Sequence, residues 1–559
     1  MVDTMVNQFE QVPRTLIDRS KFNRSSRYTT AIYADYLYPV FFDEVLPGDT
    51  KELNTTFFGR MTTPYVPVMD NIYLDYHLFY VPYRLLWNNF QKFMGERKNP
   101  TDSIDYLEPQ IEAGESGFGL ESLFDYLSLP PSVGGISISA KWSRGYNLIW
   151  NEWYRDENLQ NQVVVDLDDG PDSPSDYVLL KRGKRFDYFT STLPSPQKGP
   201  GASLPLGSTA PVIGDGNALG FSRSSSVPYG ILYQGGSHTF PNSLGIITES
   251  SWTSANKPSK AVATGMSVIS ENFPANGFTD TSETALGITT DPNYSGLIAD
   301  LTSATAATIN SLRQAIALQQ FLERDMRSGT RYNELVYGHF GVIVPDARLQ
   351  RPEYLGGSTT RLNISPVAQT SSSDNTSPQG NLAGYVTVGS TGNGFTRSFV
   401  EHGIILGLVS IRADLTYQQG IDRMFSRHTR YDYFWPTLAH LGEQAVLNKE
   451  IYAQGTDDDD GIFGYQERYA EYRFKNSYVT GKMRSGVTGS LDIWHLGQYF
   501  ANAPTLSSQF IESNTDIRRI LAVPGTEQAP EPQFYLDCWH DLTDIRPIPV
   551  YGTPGLTRI

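Results

Sequence analysis

The order of its segments constrains this sequence more than any single motif does. Strand-like segments come first, followed by a helix, a long polar stretch and a second helix, and strand-like segments return at the end. A parallel doubly wound sheet needs strands and helices in regular alternation, which this order lacks. The sequence therefore predicts a mainly β, antiparallel protein with several helices in the connections, and a jelly roll is the leading candidate.

The strand-like segments are rich in aromatic side chains. In NIYLDYHLFYVP, residues 71–82, apolar and aromatic residues from Ile72 to Tyr80 occupy every second position and so share one face of a strand. Further strand signals lie in residues 33–49, 403–417 and 533–552. The chain has 33 tyrosines, 28 phenylalanines, 49 glycines and 34 prolines, which is typical of a loop-rich β protein whose core and interfaces depend on aromatic burial.

Helical spacing and composition divide the chain into parts. A helix is predicted within residues 143–160, with Ile149, Trp150, Trp153 and Tyr154 as its buried stripe, and another over 308–326. Between Gly199 and Thr305 lies a stretch dominated by Ser, Thr, Gly, Ala and Pro. We expect a basic N-terminal arm, a first part of the β core with helical insertions, a polar insertion that protrudes from the surface, and the remainder of the core with loops: residues 1–30, 31–200, 201–305 and 306–559.

The charge balance limits how the chain can bind nucleic acid. Its formal net charge is −16, whereas a protein that contacts phosphates over a wide surface should be basic. The N-terminal arm is a local exception, because five cations face only Asp18 nearby: Arg14, Arg19, Lys21, Arg24 and Arg27. These residues either contact phosphate or belong to a solvated terminus, and composition alone does not choose between the two.

Cysteine content and apolar runs bear on cellular location. The single cysteine, Cys538, excludes an intramolecular disulfide and a cysteine-based zinc site. The N-terminal residues lack the apolar core of a signal peptide, and the longest apolar run, GIILGLVSI from Gly403, is about half the length of a membrane span. We expect a protein without membrane insertion that is made in a reducing cytoplasm.

Catalytic motifs are weak. A P-loop, a G-x-S-x-G elbow and an H-E-x-x-H motif are all missing from the sequence. Cys538 and His540 are two residues apart, so a strand would place them on one face as a conceivable thiolate–imidazole pair. Two acidic groups could flank a glycosidic bond: Asp537, Asp541 and Asp544, and Asp166, Asp168 and Asp169. Both patterns are more typical of strand residues and solvated turns, so the sequence predicts no enzyme and no cofactor.

One acidic stretch is similar to a calcium loop. In TDDDDGIFGYQE, residues 456–467, Asp458, Asp460, Gly461 and Glu467 occupy the third, fifth, sixth and twelfth EF-hand positions. Thr456 stands at the first position, where an aspartate is expected. Adjacent aspartates repel one another, which favours an exposed turn. We treat Asp458, Asp460 and Glu467 as weak calcium candidates and expect the match to be a coincidence.

Six longer stretches occur in an order far more specific than a short motif. They are YLYPVFFDEVLPGDT (36–50), YNLIWNEWYRDENLQ (146–160), KRFDYFTSTLPSPQKGP (184–200), SLRQAIALQQFLERDMRSGTRYNELVYGHFGV (311–342), RYDYFWPTLAHLGEQ (430–444) and FGYQERYAEYRFKNSYVTG (463–481). Together they resemble the major capsid proteins of the Microviridae, small phages with single-stranded DNA, and in particular their gokushovirus-like branch.

The resemblance implies a fold and an assembly. The fold is an eight-stranded antiparallel viral jelly roll with large inserted loops. Sixty copies build a T = 1 icosahedral capsid, with five-, three- and two-fold contacts, around a circular single-stranded DNA genome. The insertion at 201–305 protrudes and contacts a receptor on the host surface, and other phage structural proteins are partners. The protein belongs to the virion and is assembled in the cytoplasm of the bacterial host.

The acidic balance sharpens one expectation about partners. Subunits of net charge −16 cannot as a whole neutralise a packaged genome. We therefore expect either cations concentrated on the inner face, such as those of the N-terminal arm, or a separate small basic DNA-binding protein.

A carbohydrate-binding or glycan-cleaving β-sandwich protein is the alternative, because jelly rolls also serve lectins. It predicts a monomer or small oligomer with sugar affinity, whereas a capsid protein forms closed shells of uniform size.

Overall fold

The computed structural model describes residues 17–203, 309–345, 350–371, 378–526 and 530–551, together with six short strands between 204 and 308. The chain divides into two compact units, Met1–Pro200 with Gln320–Ile559 and Gly201–Gln319.

The strands are numbered along the chain. They are β1 (Ser20–Asn23), β2 (Ser26–Ile32), β3 (Tyr38–Val45), β4 (Thr50–Met61), β5 (Ile72–Pro82), β6 (Gln110–Glu112), β7 (Ser137–Ser139), β8 (Val212–Gly214), β9 (Gly220–Ser222), β10 (Pro228–Leu232), β11 (Gly245–Ile247), β12 (Gly287–Ile288), β13 (Leu297–Ala299), β14 (Glu353–Arg361), β15 (Asn363–Ala368), β16 (Leu382–Ser398), β17 (Gly403–Ala413), β18 (Glu443–Leu447), β19 (Ile462–Glu467) and β20 (Phe534–Arg546). The α-helices are α1 (Phe90–Phe93), α2 (Leu123–Tyr126), α3 (Lys141–Trp153), α4 (Ile309–Ser328), α5 (Tyr332–Phe340), α6 (Asn448–Ile451) and α7 (Ser508–Ile511).

Two antiparallel sheets form the larger unit. The first has the order β1–β20–β4–β16–β15, with β2 also paired to β20, and the second has the order β14–β5–β17–β3. In the smaller unit, β11–β10–β9–β12 form one antiparallel sheet and β13–β8 another. The predicted class, mainly β and antiparallel with helices in the connections, is confirmed.

The two sheets of the larger unit pack face to face as a sandwich. Buried and exposed residues alternate along β4 and β20, because successive side chains of a strand point to opposite faces. The inward residues meet those of the second sheet in one apolar core. Phe57 of β4 contacts Tyr76 of β5 edge-on, with ring centroids 4.8 Å apart. The alternation predicted for residues 72–80 therefore marks a true core face.

A helical layer covers the outer face of the second sheet. Every residue of β17 is buried, since its inner side faces the sandwich core and its outer side a second apolar cluster that includes α3. A Cβ on Gly145 would lie 2.6 Å from Cδ1 of Ile404, so glycine permits this close packing of helix on sheet. The predicted helix in residues 143–160 is α3, and Ile149 and Trp150 of its stripe are buried.

Helix α4 corresponds to the helix predicted over 308–326. Ile309, Leu312 and Ile316 of its apolar stripe are exposed, whereas Met326 near the end of the helix is buried. In the part of the chain that the structure describes, no helix is both long and apolar enough to cross a membrane.

Candidate functional site

The N-terminal arm is anchored to the first sheet from Ser20 onward. Strand β1 pairs with residues 543–546 of β20, and β2 pairs with residues 534–540. Arg14 lies outside the described residues. Arg19 and Lys21 are exposed and form no ion pair with any residue that the structure describes. Of the five predicted cations, these two are therefore the ones that the structure places free for an external anion.

Arg27 is held by a carboxylate of the neighbouring strand. Its Nε lies 2.6 Å from Oδ1 of Asp537, and its Nη2 lies 2.8 Å from Oδ2. These two hydrogen bonds lower the pKa of Asp537. Because the pair is exposed to solvent, it orients β2 on β20 more than it stabilises the fold.

Arg24 enters a charged cluster at one end of the sandwich, here called the corner cluster. Its six members are three cations and three carboxylates: Arg24, Lys51, Arg546, Asp43, Asp49 and Asp544. Arg24 contacts Asp43 at 2.8 Å and Asp544 at 2.6 Å. The carboxylates and cations balance, so the cluster is formally neutral.

Lys51 lies at the centre of the corner cluster, with its side chain fully buried. Its Nζ contacts Asp43 and lies 3.2 Å from both carboxylate oxygens of Asp544. Asp43 belongs to β3, Lys51 to β4 and Asp544 to β20, so the cluster ties both sheets to the arm. The ion pairs and hydrogen bonds from Arg24 and Lys51 lower the pKa of Asp43 against the opposing effect of burial. The part of the arm that contains Arg24 is thus a structural clamp.

The acidic stretch 456–467 does not gather its predicted ligands. Residues 457–460 form one 3-10 turn, which Asp458 closes through its backbone carbonyl. Oδ1 of Asp460 accepts a hydrogen bond from Lys449 at 2.6 Å, while Glu467 lies in β19 and contacts Arg327 at 3.4 Å. A strand follows the turn where an EF-hand would have its second helix. Among the described residues, no group of three or more His, Cys, Asp or Glu side chains is placed to hold a metal ion.

Cys538 and His540 lie on the same inward face of β20, as the spacing predicted. Burial raises the pKa of the Cys538 thiol to about 12, so it stays protonated at neutral pH. His540 uses both ring nitrogens elsewhere: Nδ1 lies 3.0 Å from Oγ1 of Thr55, and Nε2 lies 2.9 Å from the carbonyl of Val40. The two side chains are core residues and do not form a nucleophile–base pair.

His540 and His77 predict how stability depends on pH. Burial lowers the pKa of each to about 4, and repulsion from Arg182 adds to the effect at His77. The unfolded chain binds more protons than the folded chain between pH 6.5 and 4, so each histidine weakens the fold as pH falls through that window, by up to about 1.4 kcal/mol per pH unit. We expect His540→Gln to lose less stability than the natural chain over this window in urea unfolding.

The matched control for this pH dependence is His428→Gln, because His428 is exposed. It should follow the natural chain at every pH. If the His540→Gln curve instead ran parallel to that of the natural chain from pH 6.5 to 4, the assignment of proton uptake to buried His540 would be wrong.

The fold divides the first of the two carboxylate groups considered for sugar chemistry. Asp537 and Asp541 are on the outer face of β20, whereas Asp544 points inward to Lys51. In the other group, Asp168 is mostly exposed, and Asp169 accepts a hydrogen bond from the indole of Trp87 at 2.6 Å. Asp537, Asp544 and Asp169 thus have structural partners, and Asp168 faces solvent.

One exposed aromatic region stands out on the larger unit. We call it the aromatic surface, and its members are Tyr431, Tyr433, Phe434, Trp435 and Tyr472, each about half exposed. Arg427 links two of them, because its guanidinium carbon lies 5.1 Å from the ring centroid of Tyr433 and 4.7 Å from that of Tyr472. Large apolar patches on a soluble protein usually mark interaction sites.

Several buried polar atoms beside the aromatic surface have no hydrogen-bond partner among the described residues. They are Nε of Arg427, Nε of Arg468 and the hydroxyl of Tyr469, while Oε1 of Glu471 has only an ion pair with Nη2 of Arg427 at 3.7 Å. Tyr469 also has a φ of 62°, a left-handed conformation that costs about 1–3 kcal/mol outside glycine. Unsatisfied buried groups and backbone strain concentrate at functional sites. Sequence analysis missed this surface, because RYDYFWP has neither the period of a strand nor that of a helix.

Comparisons with known proteins cover nearly the whole chain. The model of a family described as "Capsid protein (F protein)" matches residues 10–556. The chain is 47% identical over 553 residues to capsid protein VP1 of Bdellovibrio phage phiMH2K, which covers 98% of this chain and 97% of that protein. It is 44% identical over 602 residues to capsid protein VP1 of Chlamydia phage 1, covering 99% and 98%. It is 34% identical over 574 residues to capsid protein VP1 of Spiroplasma virus 4, covering 100% and 99%.

Proposed function

Because the chain belongs to the capsid protein (F protein) family and is a structural, non-enzymatic protein of the virion capsid, we propose that sixty copies of it close into a T = 1 shell around a circular single-stranded DNA genome. The sequence similarity to phage capsid proteins, which extends over nearly the whole chain, supports this proposal. The resemblance to the Microviridae found in the sequence is confirmed by the same matches.

The sandwich is, in our proposal, the viral jelly roll. Taking the eight strands β2, β3, β4, β5, β14, β16, β17 and β20 in chain order, the first sheet has the order one–eight–three–six. The second sheet has the order two–seven–four–five. Two sheets whose strands interleave in this way are expected for the paired Greek keys of a jelly roll. Strand β15 then extends the first sheet beside β16, and β1 pairs with the same edge of β20 as β2 does, farther along that strand.

The aromatic surface supports self-association. Aromatic residues and arginine are enriched at the centres of protein interfaces, where they bury a large area. A second copy of the chain is the partner that a shell supplies, and its groups could also satisfy the unpaired polar atoms beside Tyr469. We therefore place one subunit contact of the shell at this surface.

Negative-stain microscopy of the expressed chain tests the proposed function. Closed particles of one diameter are expected. A chain that remained a monomer or small oligomer and bound glycans would instead support the carbohydrate-binding alternative.

The N-terminal arm contacts the genome in this proposal, through Arg19 and Lys21 and through Arg14 beyond the described residues. Particles carrying Arg19→Gln and Lys21→Gln should package less DNA, and DNA release should depend less steeply on salt, with a slope in log–log form reduced by about 0.7 per lost phosphate contact. Arg27→Gln is the control, because Asp537 already holds Arg27. Unchanged DNA content and salt dependence in the double variant would contradict a role of the arm.

The insertion at 201–305 is proposed to protrude from the shell and to contact the host surface. This is supported by the compact unit that Gly201–Gln319 form by themselves. Limited trypsin digestion of intact particles should cut first within this insertion, after Arg223 or Lys260, because a protrusion presents its chain to the protease. First cuts elsewhere in the chain would count against a protrusion.

A further inference from the structure

A pocket of about 330 Å³ lies on the outer face of the second sheet, and none of its lining residues belongs to the aromatic surface or the corner cluster. Its wall is aromatic and is contributed by β5, β14 and the end of α3. Trp153 and Tyr354 stand 5.8 Å apart between ring centroids, and Phe79 lies 5.6 Å from Tyr354. Tyr354 is 40% exposed, so one ring of this wall is open to a ligand.

Two arginines on the same pocket share a single buried carboxylate. Nη1 of Arg182 lies 2.7 Å from Oδ2 of Asp75, and Nη2 of Arg412 lies 2.8 Å from the same oxygen. Arg182 also donates to Oγ of Ser410 at 2.8 Å. Arg185 also lies 4.0 Å from this oxygen, but it has its own carboxylate in Asp414 at 3.3 Å. The two pocket arginines are therefore left with one carboxylate between them, in a chain whose net charge is −16.

Both guanidinium groups have unused donors. Arg412 is only 7% exposed, and its Nε is buried without a hydrogen-bond partner. Nε and Nη2 of Arg182 make no hydrogen bond to any residue that the structure describes. A buried donor left unpaired costs free energy, so an anion that accepted from these groups would bind favourably.

The pKa of Arg412 agrees with an excess of positive charge. Burial and then repulsion from Arg182 lower it to about 10, although Asp75 opposes the effect. A second negative group in the pocket would relieve this repulsion.

We propose that this pocket binds one nucleotide, with its phosphate on Arg182 and Arg412 and its base against the ring of Tyr354. Planar cations that match phosphate, beside aromatic faces on which a base can stack, are the combination used to hold single-stranded nucleic acid. The volume lies at the lower end of the range for small-ligand sites. The inference rests on the proposed packaging of single-stranded DNA, whose nucleotides would be the source of the ligand.

Binding of an end-labelled oligothymidylate of about eight nucleotides to the full-length chain, followed by fluorescence anisotropy, tests the inference. Arg182→Gln and Tyr354→Ala should each weaken binding by about tenfold. Only Arg182→Gln should reduce the salt dependence, by about 0.7 in log–log slope, because a base stack releases no counterion. Arg60→Gln is the matched control, since Arg60 is an exposed arginine of β4, in the other sheet.

Competition separates the possible sources of the ligand. If thymidine monophosphate displaces the oligonucleotide at equal nucleotide concentration, a free nucleotide fits the site as well as a strand does, and the pocket is still a nucleotide site. The inference would be overturned if inorganic phosphate displaced the oligonucleotide and thymidine monophosphate did not. It would also be overturned if both pocket variants bound the oligonucleotide as tightly as the natural chain does. Microscopy of the same variants tests the proposed function separately. Shells should still close in both variants, so a failure of nucleotide binding would not be a failure of shell formation.

Discussion

Replacement of Lys51 by methionine should lower the free energy of unfolding by about 3–5 kcal/mol. Methionine fills a similar volume but removes the charge at the centre of the corner cluster. Asp43 and Asp544 would then remain buried with only Arg24 and Arg546 to balance them and Asp49, and removing one partner from a buried ion cluster leaves an uncompensated charge. Urea unfolding of the unassembled chain, followed by tryptophan fluorescence, measures the change.

The pH dependence of this variant distinguishes a charge effect from a packing defect. The pKa of Asp43 is lowered in the folded chain, so its contribution to stability is present above the unfolded value and is lost as pH falls through the folded value. The difference in the free energy of unfolding between Lys51→Met and the natural chain should therefore become smaller as pH falls toward the pKa of Asp43 in the folded chain. Arg27→Met, which breaks an exposed pair, should change stability little at any pH. A difference that stayed constant with pH would point to packing instead.

The corner cluster is an example of contacts that a local sequence pattern does not predict. The run from Gly403 and the alternation in residues 72–80 predicted β17 and β5, because burial of a strand leaves a local pattern that one segment carries alone. Arg24 and Asp544 are 520 residues apart, and their contact exists only because β1 and β20 pair in the folded sheet. A cation in a polar segment looks the same whether it faces solvent or a distant carboxylate.

The end of the helix predicted within residues 143–160 is a second feature that the local pattern does not define. Ile149 and Trp150 of its predicted stripe are buried, but α3 ends at Trp153, so Tyr154 lies beyond the helix. Asp156 then accepts hydrogen bonds from the N–H groups of Asn158 and Leu159, so its side chain stabilises a turn where the pattern still allowed a helix. The proposed nucleotide pocket could not be predicted from the sequence for the same reason as the corner cluster. Its residues Arg182, Arg412 and Tyr354 come from three segments that meet only in the folded chain.

The composition did predict the kind of surface that a capsid protein needs, though not its position. Abundant tyrosine and phenylalanine indicate core and interface together, and no periodic signal separates the two uses. Tyr76 and Tyr431 illustrate this: the first is fully buried between the sheets, and the second is 56% exposed. Only burial in the folded chain shows which aromatic residues remain for a partner.

Substitution of the aromatic surface should prevent shell formation while the subunit stays folded. Tyr431 and Trp435 are each about half exposed, and Tyr431 contacts the guanidinium of Arg430 at 4.8 Å, so neither is needed to fill the sandwich core. We expect Tyr431→Asp and Trp435→Ala to abolish closed particles. Loss of an interface hot spot costs about 2 kcal/mol or more at each contact, and every subunit of a shell repeats the defect. Sedimentation velocity and microscopy measure the outcome.

A matched control decides whether the aromatic surface is specific. Leu107 is 85% exposed and lies far along the chain from that surface, so Leu107→Asp introduces the same charge at an isolated apolar side chain. It should leave particle yield close to that of the natural chain, because single exposed apolar residues are normal on protein surfaces. Normal particles from Tyr431→Asp and Trp435→Ala would show that the aromatic surface is not a subunit contact. A misfolded subunit would also fail to assemble, so the urea unfolding midpoints of both variants are needed. Midpoints close to that of the natural chain would show that the variants fold and are defective only in association.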